Sequence, residues 1–281
     1  MKDFPIPVVA LGPGSQPGED DALEYMVMPS GMNTFHAPNV PDDAALAVRT
    51  QAAELISALA SEIATGGGVP PRRDLRALDP AVVQLVGDAL GQGEVSVVAH
   101  VPEPLRVQET AFPGLWRIQR PGPGGALAAD WLEACAIPDV VRQAALALTD
   151  RRVELPLAPA GVMNAPALLA EVLQVAAEYR AGQTAHIVNL TLLPVSPADL
   201  DHLVQALGAG TTAILSRGYG NCRISSTAVA NVWWVQYFNS MEQLILNTIE
   251  VVDIPEVALA APEDLASTAE RMKEWAEALL T

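Results

Sequence analysis

The sequence predicts an α+β fold built from two homologous α+β halves, each with helices packed on a mainly antiparallel sheet. Three observations lead to this prediction. The chain repeats itself at one offset, each copy runs from helices into strand-like segments, and the gaps between those segments are short. At 281 residues the chain is long enough to bury a substantial core.

The internal repeat is the strongest of these signals. Three pairs of segments match at an offset of 117 residues: "DPAVVQLVGDALGQGEVSVV" (79–98) with "SPADLDHLVQALGAGTTAIL" (196–215), "VQETAFPGLWRI" (107–118) with "ISSTAVANVWWV" (224–235), and "IPDVV" (137–141) with "IPEVA" (254–258). Matches in one ungapped register indicate a duplication. We predict halves at 1–145 and 146–281, joined near 142–165 by a proline-rich connection.

The helices are predicted from composition and from their end signals. Long alanine-rich helices are expected at about 42–65 and 165–181, and a last helix at about 262–280. A shorter helix in each half opens at Asp79-Pro80 or Ser196-Pro197, which are capping residues followed by proline. Glycine pairs, Gly91/Gly93 and Gly208/Gly210, end these two helices.

The strands are predicted from alternating, β-branched runs after each short helix. In chain order the runs are "EVSVVAHV", "LRVQETAF" and "LWRIQRP" in the first half, and "TTAILSRG", "CRISSTAV", "VWWVQYF" and "QLILNTIEVVDI" in the second. Short gaps favour antiparallel hairpins. The segment "GGGVPPRR" (66–73) is interpreted as a loop. Trp233 and Trp234 are expected on opposite faces, with the second either covered by a helix or exposed as an interface.

Composition excludes several classes of function. A net charge of −17 argues against a nucleic-acid binder, which needs a basic face. No apolar run reaches the roughly 18–20 residues of a membrane span, and the N-terminus does not read as a secretory signal. Two cysteines are too few for a disulfide framework. We therefore expect a cytoplasmic protein.

The segment "SRGYGNC" (216–222) is the main candidate site, and three interpretations are open. It is a hairpin turn shaped by glycines, a catalytic thiol at Cys222 activated by flanking arginines, or part of a metal site. No base accompanies the cysteine, and His36, His100, His186 and His202 are scattered. The glycine-rich segments at 12–18 and 122–125 lack a nucleotide-binding pattern. We predict a hairpin, no enzyme activity, no cofactor and no metal.

Several of these segments resemble a known family. "GTTAILSRGYGNCRI", "VWWVQYFNSMEQLILNTIEVVDIPEVALAAPEDL", "MVMPSGMNTF" (26–35) and "VQETAFPGLWRI" resemble the HupH/HyaF/HoxQ hydrogenase expression and formation proteins, which are accessory factors of uptake NiFe hydrogenases. The resemblance implies a cytoplasmic chaperone that binds the precursor of the hydrogenase small subunit, with its clusters and twin-arginine export signal, alongside other maturation factors. The alternatives are direct help with iron–sulfur cluster assembly involving Cys222, and an unrecognised enzyme that uses this thiol.

The hairpin is the expected contact with the partner, because the two halves match on either side of it and differ within it. Binding residues tend to lie on loops held by a rigid scaffold. The residues assigned to this contact are Arg217, Gly218, Tyr219, Gly220, Asn221, Cys222 and Arg223. Tyr219 is expected to make the main contact, with Cys222 dispensable or supportive.

Overall fold

The computed structural model describes residues 36–39, 41, 44–100, 103–147, 149, 157–218 and 220–281. The methionine-rich segment 26–35 and Tyr219 lie outside the described residues, as does part of the proline-rich connection, residues 151–156.

The elements occur in the same order in both halves: a long helix, a short strand, a short helix and then four strands. The α-helices of the described residues are α1 (Leu46–Thr65), α2 (Pro80–Leu90), α3 (Asp139–Leu146), α4 (Ala165–Glu178), α5 (Pro197–Leu207) and α6 (Pro262–Ala278). The strands are β1 (Arg72–Asp74), β2 (Val95–Ala99), β3 (Leu105–Glu109), β4 (Leu115–Pro121), β5 (Leu127–Ala134), β6 (His186–Asn189), β7 (Ala209–Ser216), β8 (Asn221–Thr227), β9 (Val232–Phe238) and β10 (Leu244–Val251). No helix in this part of the chain is both long enough and apolar enough to cross a membrane.

The strands form one antiparallel sheet in the order β1-β5-β4-β3-β2-β7-β8-β9-β10-β6. Strands β2 and β7 lie at the middle of the sheet. From there outward the first half runs β2, β3, β4, β5 and β1, and the second half runs β7, β8, β9, β10 and β6, so the two halves have the same strand order. The fold class and the duplication are therefore confirmed.

The two halves meet at a local twofold axis. In the β2–β7 ladder Val97 pairs with Ile214, and the same two residues are equivalent at the offset of 117. A residue can pair with its own repeat equivalent only where the symmetry axis passes. The halves thus share a single ten-stranded sheet, centred on this pair.

The short helices begin and end as their sequences predict. The Asp79 side chain accepts a hydrogen bond from the Ala81 amide, and Ser196 caps α5 with a reciprocal capping box to Asp199. The helices end at Gly91 and Gly208, with φ of 61° and 62°. This left-handed conformation favours glycine because it lacks a Cβ.

Helices cover the two faces of the sheet unequally. On one face, which we call the helical face, α1, α2 and α6 pack on the first half and α4 and α5 on the second. On the other face, the α3 face, α3 and the 3-10 turn Glu256–Ala258 cover a central apolar cluster. Trp234 packs on the helical face and Trp233 on the α3 face, and each is only 1% exposed. The prediction of opposite faces is confirmed, and a covering helix rather than an exposed interface accounts for Trp234.

Some elements depart from the sequence prediction. Residues 66–73 are not entirely loop, because Arg72 begins β1, whose backbone pairs with β5. Strands β5 and β6 and helix α3 were not predicted, and α3 occupies the start of the expected connection. Helix α1 begins at Leu46 and α4 ends at Glu178. Strands of three or four residues carry too little periodicity to be recognised, whereas β5 could have been found as the equivalent of β10.

Candidate functional site

The segment 216–222 is a β-hairpin connection between β7 and β8. Ser216 pairs with Cys222 across the ladder, and Arg217, Gly218 and Gly220 are exposed at the turn. Gly220 has a φ of 104°, which a residue with a Cβ rarely adopts. The hairpin interpretation is confirmed, and Tyr219, the predicted contact residue, is outside the described residues.

Cys222 lies beneath the hairpin and not on its surface. The side chain is 1% exposed and belongs to the central cluster on the α3 face. The pKa of the Cys222 thiol is raised to about 12. Burial is the main cause and the nearby Glu250 carboxyl adds to it, while a hydrogen bond from the Tyr237 hydroxyl opposes it. The thiol is therefore protonated at neutral pH, and it is a poor nucleophile because the thiolate is the reactive form.

The expectation that the flanking arginines favour a thiolate is wrong. Alternate side chains of a strand point to opposite faces, so Arg223 lies on the helical face while Cys222 lies on the α3 face. Arg217 is in the exposed turn. Adjacency in sequence therefore does not place either guanidinium beside the sulfur.

Arg223 instead joins two hairpins. Its guanidinium forms an ion pair of 2.6 Å with Glu242, in the turn between β9 and β10, and it lies 4.3 Å from the centre of the Phe238 ring. Asn221 donates a second hydrogen bond to the other carboxylate oxygen of Glu242, at 2.7 Å. One carboxylate thus holds the β7–β8 turn against the β9–β10 turn.

The β9–β10 turn has a defined internal structure. The side-chain oxygen of Asn239 accepts hydrogen bonds from the backbone amides of Met241 and Gln243, both at 2.9 Å. The Asn239 amide also donates a hydrogen bond to the Gln243 carbonyl, and the Asn239 carbonyl accepts one from the Glu242 amide. Because the turn is bonded internally and tied to β8, its exposed side chains project from a fixed base.

Three of the six exposed side chains at 240–245 are apolar. Met241 is 75% exposed, Ile245 57% and Leu244 43%. We call residues 217–223 and 239–245 together the paired hairpin tips. Exposed apolar groups clustered at one place are typical of an interaction site, while single ones are ordinary.

The first half contributes to the other side of the same tips. The Arg217 amide donates a hydrogen bond to the Glu94 carbonyl at 3.1 Å. The Glu94 carboxylate lies against Gly218, where any Cβ would overlap it. The side chain of Arg217 has no hydrogen bond or ion pair within the described residues. The β7–β8 turn therefore carries a guanidinium without a partner among the described residues, and a carboxylate lies against it.

The sequence predicted strands on both sides of each turn, but it singled out only the first hairpin as a candidate site. Asn239 and Ser240 signal a turn, yet nothing local shows that Glu242 would reach Arg223 or that Met241 would be exposed. A usable signal was the apolar Met241 inside a turn between two strands, where polar residues are usual.

The described residues contain no group of three or more histidine, cysteine, aspartate or glutamate side chains placed to hold a metal ion. The Nε2 atom of His186 lies 2.8 Å from a carboxylate oxygen of Glu171, and His202 is on the buried side of α5.

The fold and the site define a duplicated α+β protein whose candidate site is a surface of exposed side chains on two tied hairpins. The family model for the HupH hydrogenase expression protein, C-terminal conserved region, matches the chain twice, at residues 75–156 and 162–279. These two matches correspond to the two halves of the sheet.

Individual relatives extend over nearly the whole chain. The hydrogenase expression/formation protein HoxQ of Cupriavidus necator is 46% identical over 98% of this chain and 97% of its own. HupH of Rhodobacter capsulatus is 43% identical over 99% of both chains, and the hydrogenase-1 operon protein HyaF of Escherichia coli is 33% identical over 94% and 93%. A solved structure of HupH from Thiobacillus denitrificans is 28% identical, covers 38% of this chain and 90% of its own, and has a TM-score of 0.36. The chain belongs to the HupH family of hydrogenase expression proteins.

Proposed function

We propose that this protein is a non-catalytic accessory factor in the maturation of an uptake NiFe hydrogenase. In this role it binds the precursor of the small subunit in the cytoplasm, before twin-arginine export, through the paired hairpin tips. The printed names of the relatives, hydrogenase expression/formation proteins, support the maturation role. The exposed apolar group on the tips is the observation that supports the choice of surface.

The chemistry of the tips suits such a precursor. A twin-arginine signal joins positive side chains to an apolar segment. Met241, Leu244 and Ile245 offer apolar area, and methionine adapts to partners of varied shape. The Glu94 carboxylate beside Gly218 and the net charge of −17 favour a positively charged partner.

The alternative, in which Cys222 takes part in cluster assembly, finds little support. A cluster ligand must be a thiolate that reaches the iron. The Cys222 thiol is buried in the central cluster with its pKa raised to about 12. Presenting it to a cluster would require the groups that pack on the α3 face, including the Glu256–Ala258 turn, to move away.

The test is binding of the small-subunit precursor, with and without its signal peptide, measured by isothermal titration calorimetry. Leu244→Ser is expected to weaken binding by about 1–2 kcal/mol, the lower range for interface hot spots. The repeat supplies a matched control, because Leu127 is the equivalent residue and is 41% exposed, against 43% for Leu244. Leu127→Ser is expected to leave binding unchanged.

Two further variants test the first hairpin. Tyr219→Ala is expected to weaken binding by roughly 1–2 kcal/mol, and Cys222→Ser to leave it largely intact. If Leu244→Ser and Leu127→Ser bind equally well, the tips are not the contact. If Cys222→Ser alone abolishes maturation while Tyr219→Ala binds normally, the thiol has a chemical role and our proposal for the hairpin is wrong.

A further inference from the structure

A cavity of about 300 Å³ lies in the first half, on the helical face between α2 and strands β2, β3 and β4. Its polar lining comes from α2 and the residues just after it, and from strands β2, β3 and β4: Gln84, Asp88, Gln92, Ser96, Arg106, Gln108, Arg117 and Gln119. The cavity lies apart from the paired hairpin tips, none of whose residues line it.

The second half shows that the fold does not require this cavity. The equivalent of Arg117 is Trp234, which is buried in the apolar cluster of α4 and α5 and donates a hydrogen bond of 2.6 Å to Asn247. In the first half the equivalent of Asn247 is Asp130, which pairs with Arg117 through two hydrogen bonds of 3.0 and 2.7 Å. A buried ion pair generally stabilises a fold no better than apolar residues of similar volume.

Gly87 makes room for the ion pair. A Cβ at this position would lie 2.9 Å from Nη1 of Arg117, and the equivalent residue in the second half is Val204, packed against the apolar cluster. The same backbone therefore holds a filled apolar interior in one half and a polar hollow in the other. Folding demands alone do not account for the hollow.

The cavity presents a positive and a negative side chain that have no protein partner among the described residues; Arg106 is exposed and Asp88 is half-buried. Among the described residues neither the Arg106 guanidinium nor the Asp88 carboxylate makes a hydrogen bond or ion pair, and the two do not pair with each other. The Oε1 atom of Gln92 is buried and also without a partner in this part of the chain. Arg117 binds Asp130 through Nε and Nη2, which leaves Nη1 beside Gly87. A complementary ligand must therefore supply both a negative acceptor and a positive donor.

We propose that this cavity binds a free α-amino acid. The carboxylate of the ligand would face Arg106 and the ammonium group would face Asp88 and Gln92. A ligand with only a negative charge would face the unpaired Asp88 carboxylate, and one with only a positive charge would face Arg106. The volume equals that of about ten liquid waters, which suits a molecule of amino-acid size.

The experiment is isothermal titration calorimetry of the full chain with each of the twenty amino acids at neutral pH. At least one is expected to bind one to one with a dissociation constant below about 1 mM. Arg106→Gln and Asp88→Asn are each expected to weaken binding about tenfold or more, because each removes a charge-assisted hydrogen bond. Gly87→Val, which copies the second half, is expected to abolish it. Arg120→Gln, on the opposite face of β4, is the control and is expected to bind as the parent does.

Acetate and ethylamine serve as single-charge probes. If either binds as tightly as the best amino acid, or if no amino acid binds, the proposal is wrong. Unchanged binding in both Arg106→Gln and Asp88→Asn would overturn it as well. These two side chains lie at the edge of the cavity, so their variants decide the question even if Gly87→Val does not fold.

Discussion

Replacing Glu109 by glutamine is expected to stabilise the protein in a pH-dependent way. Glu109 is buried at the end of β3, and one carboxyl oxygen accepts a hydrogen bond from the Gly114 amide at 3.1 Å. The pKa of this carboxyl is raised from 4.5 to about 7. Burial is the main cause and the carboxylates of Glu94 and Asp264 add to it, while hydrogen bonds from the Gly114 and Val95 amides oppose it. The equivalent residue in the second half is Ser226, so the fold does not demand an acid here.

The magnitude follows from the two pKa values. Because the folded pKa lies above the unfolded one, protonated Glu109 stabilises the native state. This contribution is complete below pH 4.5 and is lost as the pH rises through about 7. A difference of one in pKa corresponds to about 1.4 kcal/mol, so ionised Glu109 costs about 3 kcal/mol at pH 8. Glutamine keeps the shape and the acceptor for Gly114 but does not ionise.

The assay is urea denaturation of the parent and of Glu109→Gln at pH 5 and pH 8. The stability advantage of the variant is expected to grow by about 2–3 kcal/mol between these pH values. Comparing the two proteins at each pH cancels the titration of all other groups. Glu103→Gln, at an exposed position in the same half, is the control and is expected to show no such growth. Free energies of unfolding that differ by the same amount at both pH values would refute the reasoning.

Two further predictions follow from the buried polar and sulfur groups. Asp199→Ala is expected to lower the free energy of unfolding by roughly 3–5 kcal/mol. One oxygen of the Asp199 carboxylate accepts hydrogen bonds from the amides of Met163, Asn164 and Ala165, at 2.8 to 3.0 Å, and all three amides would lose their acceptor. Urea denaturation measures the change, and Asp201→Ala, at an exposed position, is the control and should change the stability little. Despite burial, hydrogen bonds from the Ala165 amide, from Ser196 and from the Met163 amide hold the pKa of Asp199 well below its usual range, so its contribution is present above pH 4 and lost at lower pH. In the native protein at pH 8, neither Cys135 nor Cys222 should react with Ellman's reagent, because burial raises the pKa of both thiols to about 12. Both thiols should react once the protein is unfolded in urea. Fast reaction of either thiol in the native protein would contradict this prediction.

Much of the fold could be predicted from the sequence because its signals are local. The caps at Asp79 and Ser196 act within one helical turn, and the alternation of β7 to β10 extends over seven or eight residues. The duplication was visible because the two copies remain in one register. The division of the chain at 145/146 stays a prediction, and across the middle of the molecule the sheet is continuous.

The candidate site could be predicted only in part. The turn chemistry of Gly218 and Gly220 was sufficient to place a hairpin. The direction of each side chain on β8 follows from strand alternation, but which face is apolar depends on the neighbouring strands. For this reason the sequence left an activated Cys222 open as an alternative to the predicted hairpin, whereas the structure buries its thiol among apolar side chains of the α3 face.

The tertiary structure alone decided how the two copies combine. Pairing of β2 with β7 brings together residues more than a hundred positions apart, and the ion pair of Arg223 with Glu242 joins two turns that no local pattern connects. The repeat makes the two halves alike, but small differences in packing volume separate them. Trp234 and Val204 fill the second half, whereas Arg117 and Gly87 leave a polar cavity in the first. Such differences depend on which side chains meet across the sheet, and sequence spacing does not determine those contacts.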